Sequence, residues 1–125
     1  MKFVQLVATL ALAVTSAAFA ADGHSHDPKP LYGGVVVEVK DIEFELVVKP
    51  DSVQLHLRDH GKTVDVSKAS AKLTLLSGTD KQEVELKPAG DKLEAKGSFK
   101  AATNTKVVAV VSLAGKSSTA RFVLK

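Results

Sequence analysis

The stretch SVQLHLRDHGKT, residues 52–63, decides the fold, because it contains a half-buried strand and the turn that ends it. Apolar and polar residues alternate along it: Val53, Leu55 and Leu57 on one side, and Gln54, His56 and Arg58 on the other. This alternation is typical of a β-strand with one face in a core. The tetrapeptide DHGK at residues 59–62 is a turn signal, and we expect His60 to take a positive φ before Gly61.

The same alternation recurs on the C-terminal side of this stretch, in AKLTL (71–75), EVELK (83–87), KLEAK (92–96) and ARFVL (120–124). Turn residues separate the strands at 49–52, 59–62, 77–80, 87–91 and 114–116. The pattern predicts an all-β domain over residues 33–125, a single antiparallel β-sandwich of about seven or eight strands and of immunoglobulin or fibronectin size.

Two further segments are apolar at nearly every position, GVVVEV (34–39) and KVVAVVSL (106–113). Their β-branched residues favour strands in the middle of the packing, covered on both faces. Residues 66–72 are the one place past the leader where a helical turn is expected.

The first 20 residues, MKFVQLVATLALAVTSAAFA, have the features of a secretory signal peptide: an early lysine, a short apolar run and an A-x-A cleavage site. We therefore expect export to the periplasm with cleavage near Ala20 and no transmembrane segment in the mature chain. Residues 21–32 then form a flexible, polar tail that contains two of the four histidines.

Composition argues against several function classes. Loss of Lys2 with the leader leaves 16 basic against 14 acidic residues, interleaved along the strands, so no nucleic-acid partner is expected. The chain has no cysteine, which removes thiolate chemistry. No G-x-S-x-G motif occurs, and Glu43 and Glu45 are expected to be two solvated carboxylates on one strand face. We therefore expect no enzyme activity.

The four histidines are the remaining candidates for a functional site. Imidazole binds Cu²⁺, Zn²⁺, Ni²⁺ or Co²⁺ at neutral pH, and His24 and His26 stand two residues apart on the tail. Asp22 or Asp27 could add an oxygen ligand, so weak divalent-metal binding is one hypothesis. A polar tail that contains the two histidines by chance is the other. His56, expected to be at least partly exposed, and His60 either assist the metal or have structural roles.

The chain from about residue 32 to the end resembles small exported proteins found with heavy-metal efflux systems. It is also similar to the extra N-terminal β domain of periplasmic adaptor subunits of resistance-nodulation-division metal pumps. The segments that carry the resemblance are GGVV (33–36), ELVV (45–48), LHLRDHGK (55–62) and LTLLSG (73–78). Family members often have His-Gly-Gly where this chain has Tyr32-Gly33-Gly34, which removes one candidate ligand.

The resemblance implies a periplasmic accessory protein that binds, buffers or delivers a divalent transition metal in connection with efflux. The candidate ligands are His24, His26, Asp22, Asp27, His56 and His60. An efflux-pump component or another envelope protein is the expected partner. The alternative is a non-catalytic module that docks to an envelope protein through a sheet edge and has no metal role.

Overall fold

The computed structural model describes residues 29–100 and 102–125, which form nine β-strands and no helix. In chain order the strands are β1 (Val35–Val39), β2 (Ile42–Lys49), β3 (Ser52–Asp59), β4 (Lys62–Thr63), β5 (Ser70–Ser77), β6 (Asp80–Ala89), β7 (Lys92–Lys96), β8 (Lys106–Leu113) and β9 (Lys116–Val123). Every pairing is antiparallel. The predicted all-β, antiparallel class is therefore confirmed.

The strands form one continuous hydrogen-bonded order, β1-β2-β3-β7-β6-β5-β8-β9, with the short β4 added beside β3. Strand β6 joins the two halves of this order, because its first seven residues pair with β5 and residues 87–89 pair with β7. The sheet curls until β1 and β9 lie next to each other, so the architecture is a nearly closed barrel. The narrower prediction, a sandwich of seven or eight strands, is not confirmed.

The core lies inside the curled sheet and is built from the inward positions of the alternating pattern. Val53, Leu55 and Leu57 of β3 are fully buried, as the alternation predicts. Apart from Phe44 and Phe122, the buried apolar residues are aliphatic. Each fully buried Leu or Val side chain stabilises the folded state by about 1.5–3 kcal/mol relative to an exposed one. Burial of the aliphatic core can therefore stabilise this fold without disulfide bonds.

Each of the five predicted turn segments contains a junction between two consecutive strands, although at 87–91 strand β6 continues to Ala89 before the chain turns. Strand β1, however, lies at one end of the order and is only half-buried, and Val110 of β8 is 45% exposed. The expectation that these two strands are covered on both faces is therefore wrong. Of the helical turn expected at 66–72, a single turn forms, in which the Ala69 N–H donates to the Val66 carbonyl, and β5 begins at Ser70.

Candidate functional site

The outer face of β2, β3 and β7 carries a cluster of polar side chains. Its members are Glu43, Glu45, Gln54, His56, Arg58 and Glu94. The strand register places Glu45 opposite His56 and Glu43 opposite Arg58. Contrary to expectation, Glu45 and His56 are buried, at 0% and 7% exposed. The alternation assigned both residues to the correct face, but that face is covered.

Residues 29–34, here called the strap, lie over this face, and Glu45 holds them there. The Glu45 Oε1 atom accepts the Leu31 N–H at 2.8 Å, and Oε2 accepts the N–H groups of Tyr32 at 2.8 Å and Gly34 at 2.9 Å. Leu31 and Tyr32, the last two residues of the predicted tail, are thus bound to the sheet.

Arg58 completes the environment of Glu45. Its Nη1 donates to Glu45 Oε1 at 2.9 Å, its Nε donates to Glu43 Oε1 at 3.3 Å, and its Nη2 donates to the Lys29 carbonyl at 3.4 Å. A carboxylate has about four acceptor positions, and Glu45 uses four. Glu45 therefore has no acceptor position left for a metal ion.

These contacts determine the charge of Glu45. Desolvation by burial raises its pKa, but the N–H groups of the strap and the guanidinium of Arg58 outweigh burial and bring the pKa below the ordinary value of 4.5. Glu45 is therefore an ionised carboxylate at neutral pH, and its charge is balanced by Arg58 and the backbone dipoles. Buried charges are tolerated when they are paired in this way.

Two glycines let the strap approach the sheet. Gly33 has a φ of +76°, the left-handed region that glycine adopts at little cost. A side chain at Gly34 would overlap the carbonyl oxygen of Leu46 and contact the Val47 side chain. The pair thus allows the chain to turn at Gly33 and pass close to β2 before β1 begins.

The ring of Tyr32 stacks on the imidazole of His56. The ring centroids are 3.8 Å apart and the planes differ by 15°. Desolvation by burial lowers the pKa of His56 below 6.5, in spite of the opposing attraction of Glu45. His56 is therefore neutral at pH 7, and its Nε2 lies 3.3 Å from Gln54 Oε1. A neutral imidazole is the form that ligates metals.

His60 lies apart from this cluster, in the turn after β3. Its φ of 53° confirms the predicted positive value. The hydrogen bond and charge of Asp59 raise the pKa of His60 above 6.5. A higher pKa favours the protonated ring, which has no lone pair for a metal. The structure therefore gives His56 and His60 opposite pKa shifts in different surroundings.

The other predicted ligands, His24, His26, Asp22 and Asp27, lie outside the described residues. Within residues 29–100 and 102–125, no three His, Asp or Glu side chains form a group that could hold a metal ion. The same residues include no helix long and apolar enough to cross a membrane.

Sequence reasoning missed the roles of Glu45, Arg58 and Tyr32. One signal was present, because two acids of β2 alternate on the same face that carries an arginine on the next strand. Opposite charges on adjacent strands commonly pair. The Gly-Gly dipeptide eleven residues before Glu45 was the second signal, since it marks a close backbone approach.

Comparison with protein-family models, curated proteins and solved structures found no match.

Proposed function

We propose that the protein binds a divalent transition-metal ion through His24 and His26, with Asp22 or Asp27 as an oxygen ligand, and buffers or delivers it in the periplasm. The observation that supports this proposal is the attachment of the strap. Three backbone N–H groups bind Glu45, so the chain is fixed to the sheet at Leu31, five residues after His26.

The attachment matters because a flexible peptide must lose conformational entropy when it closes on an ion, at a cost of about 1–2 kcal/mol per fixed residue. Five residues span at most about 18 Å, so the covalent chain confines His26 to that distance from Leu31. Confinement raises the effective concentration of the two imidazoles near the outer face of the sheet. The neutral ring of His56 lies on that face, beneath Tyr32.

The test is calorimetric titration of the exported, processed protein with Zn²⁺, Cu²⁺, Ni²⁺ and Co²⁺ at neutral pH and low salt. We expect a dissociation constant of about 1 μM or weaker for at least one ion, or at most about 8 kcal/mol of binding free energy. The double variant His24→Ala/His26→Ala should lose most of this binding, whereas the control His60→Ala should keep it. Unchanged binding in the double variant would exclude the tail as the site.

A second candidate function is docking to an envelope protein, such as an efflux component, by addition of a strand. The observation that favours it is the sheet order, in which β1 and β9 are the terminal strands. Terminal strands carry backbone N–H and C=O groups that can pair with an incoming strand, and because β1 and β9 lie next to each other, that strand would enter between them. Co-purification from the envelope with and without a chelator separates the two functions, because strand addition does not require a metal.

A further inference from the structure

A cavity of about 380 Å³ lies at one mouth of the barrel. Its walls are the hairpin of β5 and β6 and the segment 97–100, which begins the connection from β7 to β8. The Gly97 N–H donates to the Asp51 carbonyl at 3.1 Å, and the Phe99 N–H donates to the Pro50 carbonyl at 2.9 Å. The turn between β2 and β3 therefore holds this segment in place, and both walls of the cavity are fixed by backbone hydrogen bonds.

The inner surface of the cavity is apolar. Leu75 is buried on the inward side of β5, and Phe99 packs against the core from the opposite wall. Gln82, which lies opposite Leu75 in the strand register, donates its Nε2 to the Ser98 carbonyl at 2.9 Å and so links the two walls. An apolar surface with a few polar groups around it is typical of small-molecule sites, which measure about 300–1,000 Å³ and often lie in the mouths of β-barrels.

Two lysines and one aspartate carry the charge of the rim. Lys100 Nζ donates to Asp80 Oδ2 at 2.9 Å, and Lys81 Nζ lies 4.0 Å from Glu83, which is not part of the cavity wall. All four side chains are at least 58% exposed. Exposed ion pairs are weak, so a ligand can replace either acid as the partner of its lysine at small cost. The excess of positive charge on the rim favours an anionic ligand.

We propose that this cavity binds a small amphipathic carboxylate, such as a medium-chain fatty acid, with its apolar body on Leu75 and Phe99 and its carboxylate on Lys81 and Lys100. The cavity is lined by none of the metal ligands proposed above. The inference therefore goes beyond the proposed function and does not depend on it.

The test is titration of the processed protein with octanoate, followed by ¹H–¹⁵N NMR of the backbone amides. We expect the largest shifts at Ser77, Gln82 and Phe99, and a dissociation constant of about 1 mM or tighter, as is reasonable for a ligand of about ten non-hydrogen atoms. Acetate lacks the apolar body and 1-octanol lacks the charge, so each should bind more weakly than octanoate. Shifts centred elsewhere, no shifts at octanoate concentrations tenfold above that value, or equal affinity for 1-octanol would overturn the proposal.

Charge variants on the rim test how the carboxylate is bound. The double variant Lys81→Gln/Lys100→Gln should weaken octanoate binding by about fivefold, because it removes two exposed ion pairs. The matched control Lys87→Gln, at an exposed lysine of β6 outside the cavity, should keep the wild-type affinity. Asp80→Asn should instead tighten binding, because it removes the acid that competes for Lys100. These positions are exposed, and far-UV circular dichroism confirms that each variant is folded. Wild-type affinity in the double variant, or no gain in Asp80→Asn, would show that the rim lysines do not bind the carboxylate.

Discussion

Replacement of Glu45 by glutamine should lower the free energy of unfolding by about 3 kcal/mol. Glutamine keeps one of the two acceptor oxygens and replaces the other with an NH₂ donor, so either Leu31 and Arg58 or Tyr32 and Gly34 lose their acceptor. A buried donor left without an acceptor costs about 1–3 kcal/mol, and two are created. Breaking a buried ion pair costs about 3–5 kcal/mol in general. Because Arg58 keeps Glu43 as a partner, the loss expected here is at the lower end of that range.

The measurement is urea denaturation followed by far-UV circular dichroism and by tyrosine emission. Tyr32 is the only tyrosine and the chain has no tryptophan, so the emission reports on the strap. A loss of about 3 kcal/mol corresponds to a fall in Tm of roughly 10–20 °C for a domain of this size.

Glu43→Gln is the matched control. It makes the same chemical change on the same face of the same strand, and it affects the same arginine. The Glu43 contact with Arg58 is longer, at 3.3 Å, and the Glu43 side chain is 21% exposed. We expect the control to lose less than about 1 kcal/mol, as is usual for partly exposed pairs. If Glu45→Gln costs no more than Glu43→Gln, Glu45 does not anchor the strap.

The pH dependence of stability gives an independent check on Glu45. Burial raises the pKa of Glu45, but the strap N–H groups and Arg58 lower it further, so the pKa in the folded state is below the ordinary 4.5. The stabilisation is therefore present above pH 4.5 and is lost as the pH falls through the lower, folded-state pKa. Glu45→Gln should remove this part of the acid-induced loss of stability.

Three further predictions concern the strap and the residues beneath it. Desolvation by burial lowers the pKa of His56, so its contribution to stability is present above pH 6.5 and is lost as the pH falls through the folded-state pKa. In His56→Gln the free energy of unfolding should therefore vary less between pH 7 and pH 5 than in the wild type, and an unchanged pH dependence would contradict this. Tyr32→Ala should cost about 1 kcal/mol by loss of the stacked pair, measured by circular dichroism in urea, whereas Tyr32→Phe should stay close to wild type. Gly34→Ala should cost about 1–3 kcal/mol, and more than Gly33→Ala, because only the former forces a methyl group into the Leu46 carbonyl; equal thermal melting of the two variants would argue against the close approach.

The strands and their inward faces could be predicted from the sequence because a half-buried strand has a period of two residues. Val53, Leu55 and Leu57 are examples, and the turn residues fixed where the strands end. The same rule placed Glu45 and His56 on the outer face correctly, but the exposure expected from that face was wrong. Alternation identifies the outer face, but it contains no information about a segment from elsewhere in the chain that covers this face.

The path of the sheet was harder to predict than its strands. Pro88 interrupts the alternating pattern and resembles a turn signal, yet β6 continues through it and pairs residue 88 with Leu93 of β7. This continuation joins the two halves of the sheet into one order. The β-branched composition of β1 is typical of a central strand, but β1 lies at one end of the order. Its valines are apolar because Val35, Val37 and Val39 pack against the core from that end position. Edge and centre differ in long-range pairing, which local composition does not encode.

The boundary between β1 and β9 has a consequence for the motions of the barrel. Around the rest of the sheet each strand is joined to its neighbours by backbone hydrogen bonds, so transient opening of the barrel should begin between β1 and β9, where amide hydrogens should exchange fastest. The strap runs directly into β1, and Glu45 of β2 holds the last residue of the strap through the Gly34 N–H. A change that weakens or strengthens the attachment of the strap should therefore change how often the barrel opens between β1 and β9. Deuterium uptake by the backbone amides of these two strands would measure that change.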